Sequence, residues 1–130
     1  MHSFALRVYY EDTDLAGIVY YANYLKYIER ARTEWVRGLG VDQGALRREC
    51  NIVFAVRRVV AEYLRPARFD DLLEVRTGLR HLGGARIELD QQVGRGEQVL
   101  FTAAVTLVAM DATAGGAVRL PVAVRAALAR

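Results

Sequence analysis

Three acids crowd one short stretch near the N-terminus, Tyr10-Glu11-Asp12-Thr13-Asp14-Leu15-Ala16-Gly17. It falls between an apolar alternation and a helical pattern, so it reads as a loop running into a helix N-terminus. There the backbone N–H groups point outward and carry a positive partial charge. A carboxylate beside such a terminus can attack a carbonyl or deprotonate water while the amides stabilise a developing oxyanion. That pairing suits acyl transfer from a thioester and needs no histidine. The same acids also suit Asx turns or a helix cap, and spacing alone favours that structural role. A calcium loop fails. Asp12, Asp14 and Gly17 fit its first, third and sixth positions, but Ala16 and Asn23 stand where oxygen ligands are needed.

Elimination removes most other chemistries. The only serine is Ser3, near the terminus, which argues against a serine triad. One cysteine, Cys50, and two histidines, His2 and His81, are too few for a usual zinc site. Cys50 with His81 reads as a buried thiol beside a strand-end histidine rather than a nucleophile and its base. Lys26, the only lysine, lies among charged residues on a helix face, the setting of a solvated lysine. No glycine-rich phosphate loop is present. The net charge of +3 is mild and the arginines are scattered, so no nucleic-acid partner is expected. A lone cysteine excludes an intrachain disulfide and fits a reducing compartment. No apolar run reaches signal-peptide or transmembrane length, and the expected location is cytoplasmic.

The elements that must position the acids follow from periodicity. At 130 residues, 53% of them apolar, the chain is expected to form one domain over residues 1–130 with a sizeable core. Phe4, Leu6, Val8 and Tyr10 alternate as a first strand. From about Ala22, Tyr24, Ile28, Ala31 and Trp35 recur at helical spacing, with Asn23 near the start and Gly38 or Gly40 as the stop. Asp42 caps a short second helix through Glu49. Strands follow at Ile52–Tyr63, with a bulge at Arg57-Arg58, and at Leu73–Arg80 and Arg86–Val93, joined by Gly83-Gly84. Val99–Met110 is apolar at almost every position, which implies a strand covered on both faces, or on one of them by a partner subunit. Pro121 opens a terminal helix ending near Leu128. One long helix against a curved antiparallel sheet is an α+β arrangement.

The N-terminal residues resemble a known family. Arg7-Val8, Thr13-Asp14, Gly17-Ile18-Val19 and Asn23-Tyr24 match the signature of the 4-hydroxybenzoyl-CoA thioesterase family. The run from Tyr24 to Trp35 and the segment from Pro66 to Leu73 are similar to its YbgC-type branch, and the likeness extends from about Arg7 to Pro121. The resemblance implies a hotdog fold, a curved antiparallel sheet wrapped around one long helix. It also implies homodimers that join their sheets, often paired as homotetramers, with sites at the dimer interface. Asp14 matches the catalytic aspartate. Tyr21 matches the position whose backbone N–H polarises the thioester carbonyl. One departure is that many members of the branch carry histidine where this chain has Tyr21, so only the backbone role carries over.

On that resemblance the expected activity is hydrolysis of a short-chain or aromatic acyl-CoA, with coenzyme A as part of the substrate and no metal or redox cofactor. Gly17, within the motif, is a candidate substrate-binding residue. Tyr20, Tyr24 and Tyr27 are candidates for the acyl pocket, and Arg57, Arg58 and Arg86 for the phosphates of CoA. Two alternatives stand beside this reading: a thioesterase acting on acyl carrier protein, and a non-catalytic acyl-CoA-binding or scaffold protein linked to cell-envelope systems.

Overall fold

The structure, a computed structural model, describes residues 1–130. Five strands form one antiparallel sheet: β1 (His2–Arg7), β2 (Ile52–Tyr63), β3 (Leu72–Leu82), β4 (Arg86–Arg95) and β5 (Gln98–Asp111). Their order is β1-β3-β4-β5-β2, so β1 and β2 are the two edges. Three helices complete the chain, α1 (Asn23–Gly38), α2 (Gln43–Cys50) and α3 (Val122–Leu128). None is long and apolar enough to cross a membrane.

The apolar positions explain this arrangement. Tyr24, Tyr27, Ile28, Ala31 and Trp35 form one buried stripe of α1. That stripe lies on β1, β3 and β4 and meets their inward residues, among them Leu73, Val75, Leu89 and Val93, none more than 1% exposed. The inner face of β2 gets less cover. Val56 pairs with inward-facing Leu107 yet is 49% exposed. Asp42 caps α2 by accepting the Ala45 N–H at 3.0 Å. Left-handed Asn51 ends that helix at a φ of 56°.

Several boundaries differ from the periodicity. The first strand stops at Arg7 because the chain turns into a 3-10 helix at Tyr10–Asp12, although Val8 still bonds to Asp70 and Asp71. The expected bulge falls between Val56 and Arg58. Pro121 caps α3 from outside, with extended backbone, rather than opening its first turn. In β5, Phe101, Ala103, Val105, Leu107 and Ala109 are buried, while the alternate residues from Thr102 to Met110 are half-buried. The chain itself therefore covers only one face of that apolar strand.

Candidate functional site

The acidic stretch folds as a small hairpin closed by its own backbone. Asp14 N–H donates to Ile18 C=O at 2.9 Å, Tyr20 N–H to Asp12 C=O at 2.9 Å, and Gly17 N–H to Asp14 C=O at 3.0 Å. Gly17 takes a φ of 79°, which a side chain would strain. The structural roles open to the acids are realised. Asp12 Oδ2 accepts the Tyr9 N–H at 2.8 Å, and Asp14 Oδ1 accepts the Ala16 N–H at 2.9 Å. Asp14 is only half-buried, and Oδ2 makes no hydrogen bond within the chain. The Asx bond thus fixes the side chain and leaves one carboxylate oxygen uncommitted.

A turn leads from this hairpin into α1. Asn23 N–H donates to Tyr20 C=O at 2.8 Å, which makes Tyr21 and Ala22 the central residues of the turn. The amides of both find no acceptor within the chain. Asn23 Nδ2 ties the turn to the hairpin through Asp12 C=O at 2.9 Å. Two free N–H groups therefore sit immediately before a sixteen-residue helix, at its positive end.

Beside the turn lies a cleft of about 310 Å³ lined by Ile18, Val19, Tyr21, Tyr24, Tyr63 and Arg65, among others. Its walls are largely apolar, and three of the lining residues are tyrosines. Tyr24 stacks on Phe101 at 5.0 Å, and Tyr63 meets Tyr21, Tyr24 and Phe101 edge-on at 6.1, 5.5 and 5.0 Å. Larger hollows of about 470 and 480 Å³ lie at the other end of α1. They touch neither the acids nor the free amides.

Hydrogen bonds fasten the cleft to the segment after β2. Val19 N–H donates to Ala67 C=O at 2.8 Å, and Ala67 N–H donates to the Tyr24 hydroxyl at 3.0 Å. Arg95 Nη1 reaches Asp71 Oδ2 at 2.7 Å, and Arg68 N–H reaches the same oxygen at 2.8 Å. Burial alone would raise the pKa of Asp71, but the Arg68 amide and the Arg95 guanidinium hold it below the ordinary carboxylate range. Burial raises the pKa of Tyr24, against the pull of the Ala67 N–H.

The candidate residues separate into groups. Tyr21 and Tyr24 line the cleft. Asp14 stands across the hairpin from Ile18, which lines it. Tyr20 is exposed and packs edge-on against Tyr21 at 5.0 Å. Tyr27 is not brought there. It is 1% exposed, in the core, with its hydroxyl facing Asp12 but lacking full hydrogen-bond geometry. Burial, and then the Asp12 charge, push its pKa above the ordinary tyrosine range. Helical spacing alone does not distinguish Tyr27 from a pocket residue. Arg57, Arg58 and Arg86 are also away from the cleft: Arg57 is the bulge residue, and Arg58 and Arg86 pair with Thr106 and Val108 on the outward face. The basic side chain at the cleft is instead Arg65. Tyr63, whose hydroxyl donates to Tyr21 C=O at 3.0 Å, reads from the sequence only as a strand end. No sequence pattern links a strand end to a turn forty-two residues earlier.

Comparison with known proteins supplies the context. The model of the thioesterase-like superfamily matches residues 8–128. A Haemophilus influenzae acyl-CoA thioesterase, YbgC, is 41% identical over 125 residues, 96% of this chain and 92% of that protein. A probable thioesterase of known structure from Bartonella henselae is 37% identical with a TM-score of 0.88, over 92% of this chain and 98% of its own. The structure of a gentisyl-coenzyme A thioesterase is 26% identical with a TM-score of 0.88, over 97% of this chain and 98% of its own. The five-stranded sheet and long helix are the hotdog fold of these thioesterases.

Proposed function

The chain belongs to the thioesterase-like superfamily, and on that premise we propose that it is an acyl-CoA thioesterase using the Asp14 carboxylate and the free amides ahead of α1. The observation carrying this reading is the turn itself. Tyr21 N–H and Ala22 N–H are uncommitted, at the positive end of α1, beside a largely apolar cleft and a half-buried carboxylate. The thioester carbonyl accepts a hydrogen bond from the Tyr21 N–H, which strengthens as the oxygen gains charge. Asp14 Oδ2 then either attacks the carbonyl carbon, giving a mixed anhydride that water opens, or takes a proton from the attacking water. Both routes consume one water and release the free acid and the CoA thiol.

The three tyrosines in an otherwise mostly aliphatic wall, and a volume near 310 Å³, favour a short or aromatic acyl group. Arg65 at the cleft fits a phosphate of CoA, and equally the phosphopantetheine phosphate of an acyl carrier protein, which remains the second reading. An edge strand with an uncovered inner face, and exposed Leu15, Tyr21, Leu64 and Phe69 near the site, support a homodimer or homotetramer. The test is thiol release from a panel of short aliphatic, long aliphatic and hydroxybenzoyl CoA esters, with wild type beside Asp14→Asn. Asparagine keeps the Asx acceptor, so the hairpin stays folded while turnover drops at least about a hundredfold. Equal turnover in both proteins removes Asp14 from the mechanism. Turnover only on carrier-protein esters moves the assignment to the second reading.

A further inference from the structure

We infer that Tyr63 is a positioning residue of this reaction, holding the Tyr21–Ala22 peptide so that its Ala22 N–H, beside the Tyr21 N–H, faces the thioester oxygen. The inference rests on the proposed role of those amides. Carbonyl bookkeeping around the turn shows why the peptide needs a holder. Tyr20 C=O takes the Asn23 N–H at 2.8 Å and Ala22 C=O takes the Leu25 N–H at 3.2 Å. The carbonyl between them receives no backbone donor, because Leu25 N–H has gone to Ala22 instead. The Tyr63 hydroxyl supplies the missing bond, at 3.0 Å to Tyr21 C=O.

The donor, itself 48% exposed, stands on a buried base. Tyr63 is the last residue of β2, and its ring packs edge-on against Phe101 and Tyr24, which are 0% and 3% exposed. Donation to Tyr21 C=O also polarises the peptide whose other end is the Ala22 N–H, making that amide a stronger donor. Burial raises the pKa of Tyr63, and Tyr21 and Tyr24 add to the rise, so the phenol keeps its proton through neutral pH. Tyr24 makes no bond to the Tyr21 carbonyl; its hydroxyl lies at the Ala67 N–H, which it accepts at 3.0 Å.

Tyr63→Phe and Tyr63→Ala separate the hydroxyl from the ring. Steady-state thiol release is measured on the best acyl-CoA of the panel, with Asp14→Asn in parallel and a thermal melt of every variant. Losing one donor from an oxyanion site typically costs a hundredfold or more. Tyr63 acts one bond removed, so Tyr63→Phe is expected to lower kcat roughly tenfold, with KM changed less than about twofold. Tyr63→Ala also removes a cleft wall and raises KM. A merely structural tyrosine lowers the melting temperature and leaves the kcat of the folded enzyme alone. Wild-type kcat in Tyr63→Phe, or a loss confined to KM, overturns the inference. If Asp14→Asn stays fully active, the carboxylate mechanism fails, and the Tyr63→Phe kcat still decides the question of the peptide. If Asp14→Asn is inactive while Tyr63→Phe is unaffected, this inference alone fails.

Discussion

Replacing Gln91 with leucine tests what fastens α1, and therefore the turn ahead of it, to the sheet. Gln91 is 2% exposed on the inward face of β4. Its Oε1 accepts Arg32 Nη1 at 3.0 Å, and its Nε2 donates to Ile28 C=O and Thr77 Oγ1, both at 2.9 Å. Arg32 is itself only 9% exposed. Burial lowers its pKa, and Glu29 on the same helix opposes the shift. Leucine keeps the approximate volume but strands a buried guanidinium and a buried hydroxyl. The Ile28 carbonyl loses less, because it already takes a helical N–H. Hydrogen bonds to charged groups contribute about 1.5–3 kcal/mol, and an orphaned hydroxyl costs about 1–3. After allowing about 1 kcal/mol for the added apolar surface, the net loss is roughly 3 kcal/mol. The single tryptophan, Trp35, is 8% exposed and reports urea unfolding by fluorescence. At an m-value near 2 kcal/mol/M the midpoint falls by about 1.5 M. Protein concentration is held fixed because association would shift the midpoint. Adding Arg32→Met to Gln91→Leu removes the stranded charge and recovers part of the loss. A midpoint shift below about 0.3 M, or a double variant no more stable than Gln91→Leu, would refute the reasoning.

Two further substitutions probe the fastening of the cleft. Tyr24→Phe keeps the stack on Phe101 but leaves the N–H of Ala67, a residue 0% exposed, without its acceptor. The expected cost is about 1–3 kcal/mol by urea unfolding, and a value near zero would show that the segment relaxes to another acceptor. Asp71 has a folded pKa below its ordinary 3.8, so its ionised form adds stability above the unfolded value and loses it as pH falls through the folded one. The stability gap between wild type and Asp71→Asn should therefore be present at pH 7 and shrink below about pH 4. A gap unchanged from neutral to acid pH would show that the Arg68 amide and Arg95 do not favour the ionised carboxylate.

How much of this was legible in the sequence depends on the range of the bonds involved. The buried stripe of α1, the Asp42 cap, the bulge at Arg57-Arg58 and the alternation of β3 and β4 are local patterns with a fixed period or spacing. The Asx turn of Asp14 and the capping bond from Tyr9 N–H to Asp12 span two or three residues, and the chemistry of their side chains suffices to predict them. Tyr27 and Tyr24 share one helical stripe, so periodicity buries both. It cannot tell which hydroxyl reaches an amide across the cleft and which is left in the core. The arginines illustrate the converse limit. Alternation puts Arg58 and Arg86 on a strand face but does not say which face meets the site.

The contacts that shape the site are the long-range ones. Tyr63 reaches Tyr21 across forty-two residues, Tyr24 reaches Ala67 across forty-three, and Arg95 reaches Asp71 across twenty-four. The two tyrosine hydroxyls do opposite jobs on the same stretch of chain. Tyr24, on α1, accepts an amide from the segment after β2 and so draws that segment over the helix. Tyr63, on β2, donates to the turn before α1 and so holds it open for a ligand. The first bond saturates a backbone group, and the second occupies a carbonyl so that the neighbouring amides can stay unsaturated. Free amides beside a helix terminus bind an oxyanion well only if the peptides carrying them cannot rotate to find another acceptor. The sheet edge supplies that constraint here, which makes the end of β2 as much a part of the proposed site as the acidic hairpin.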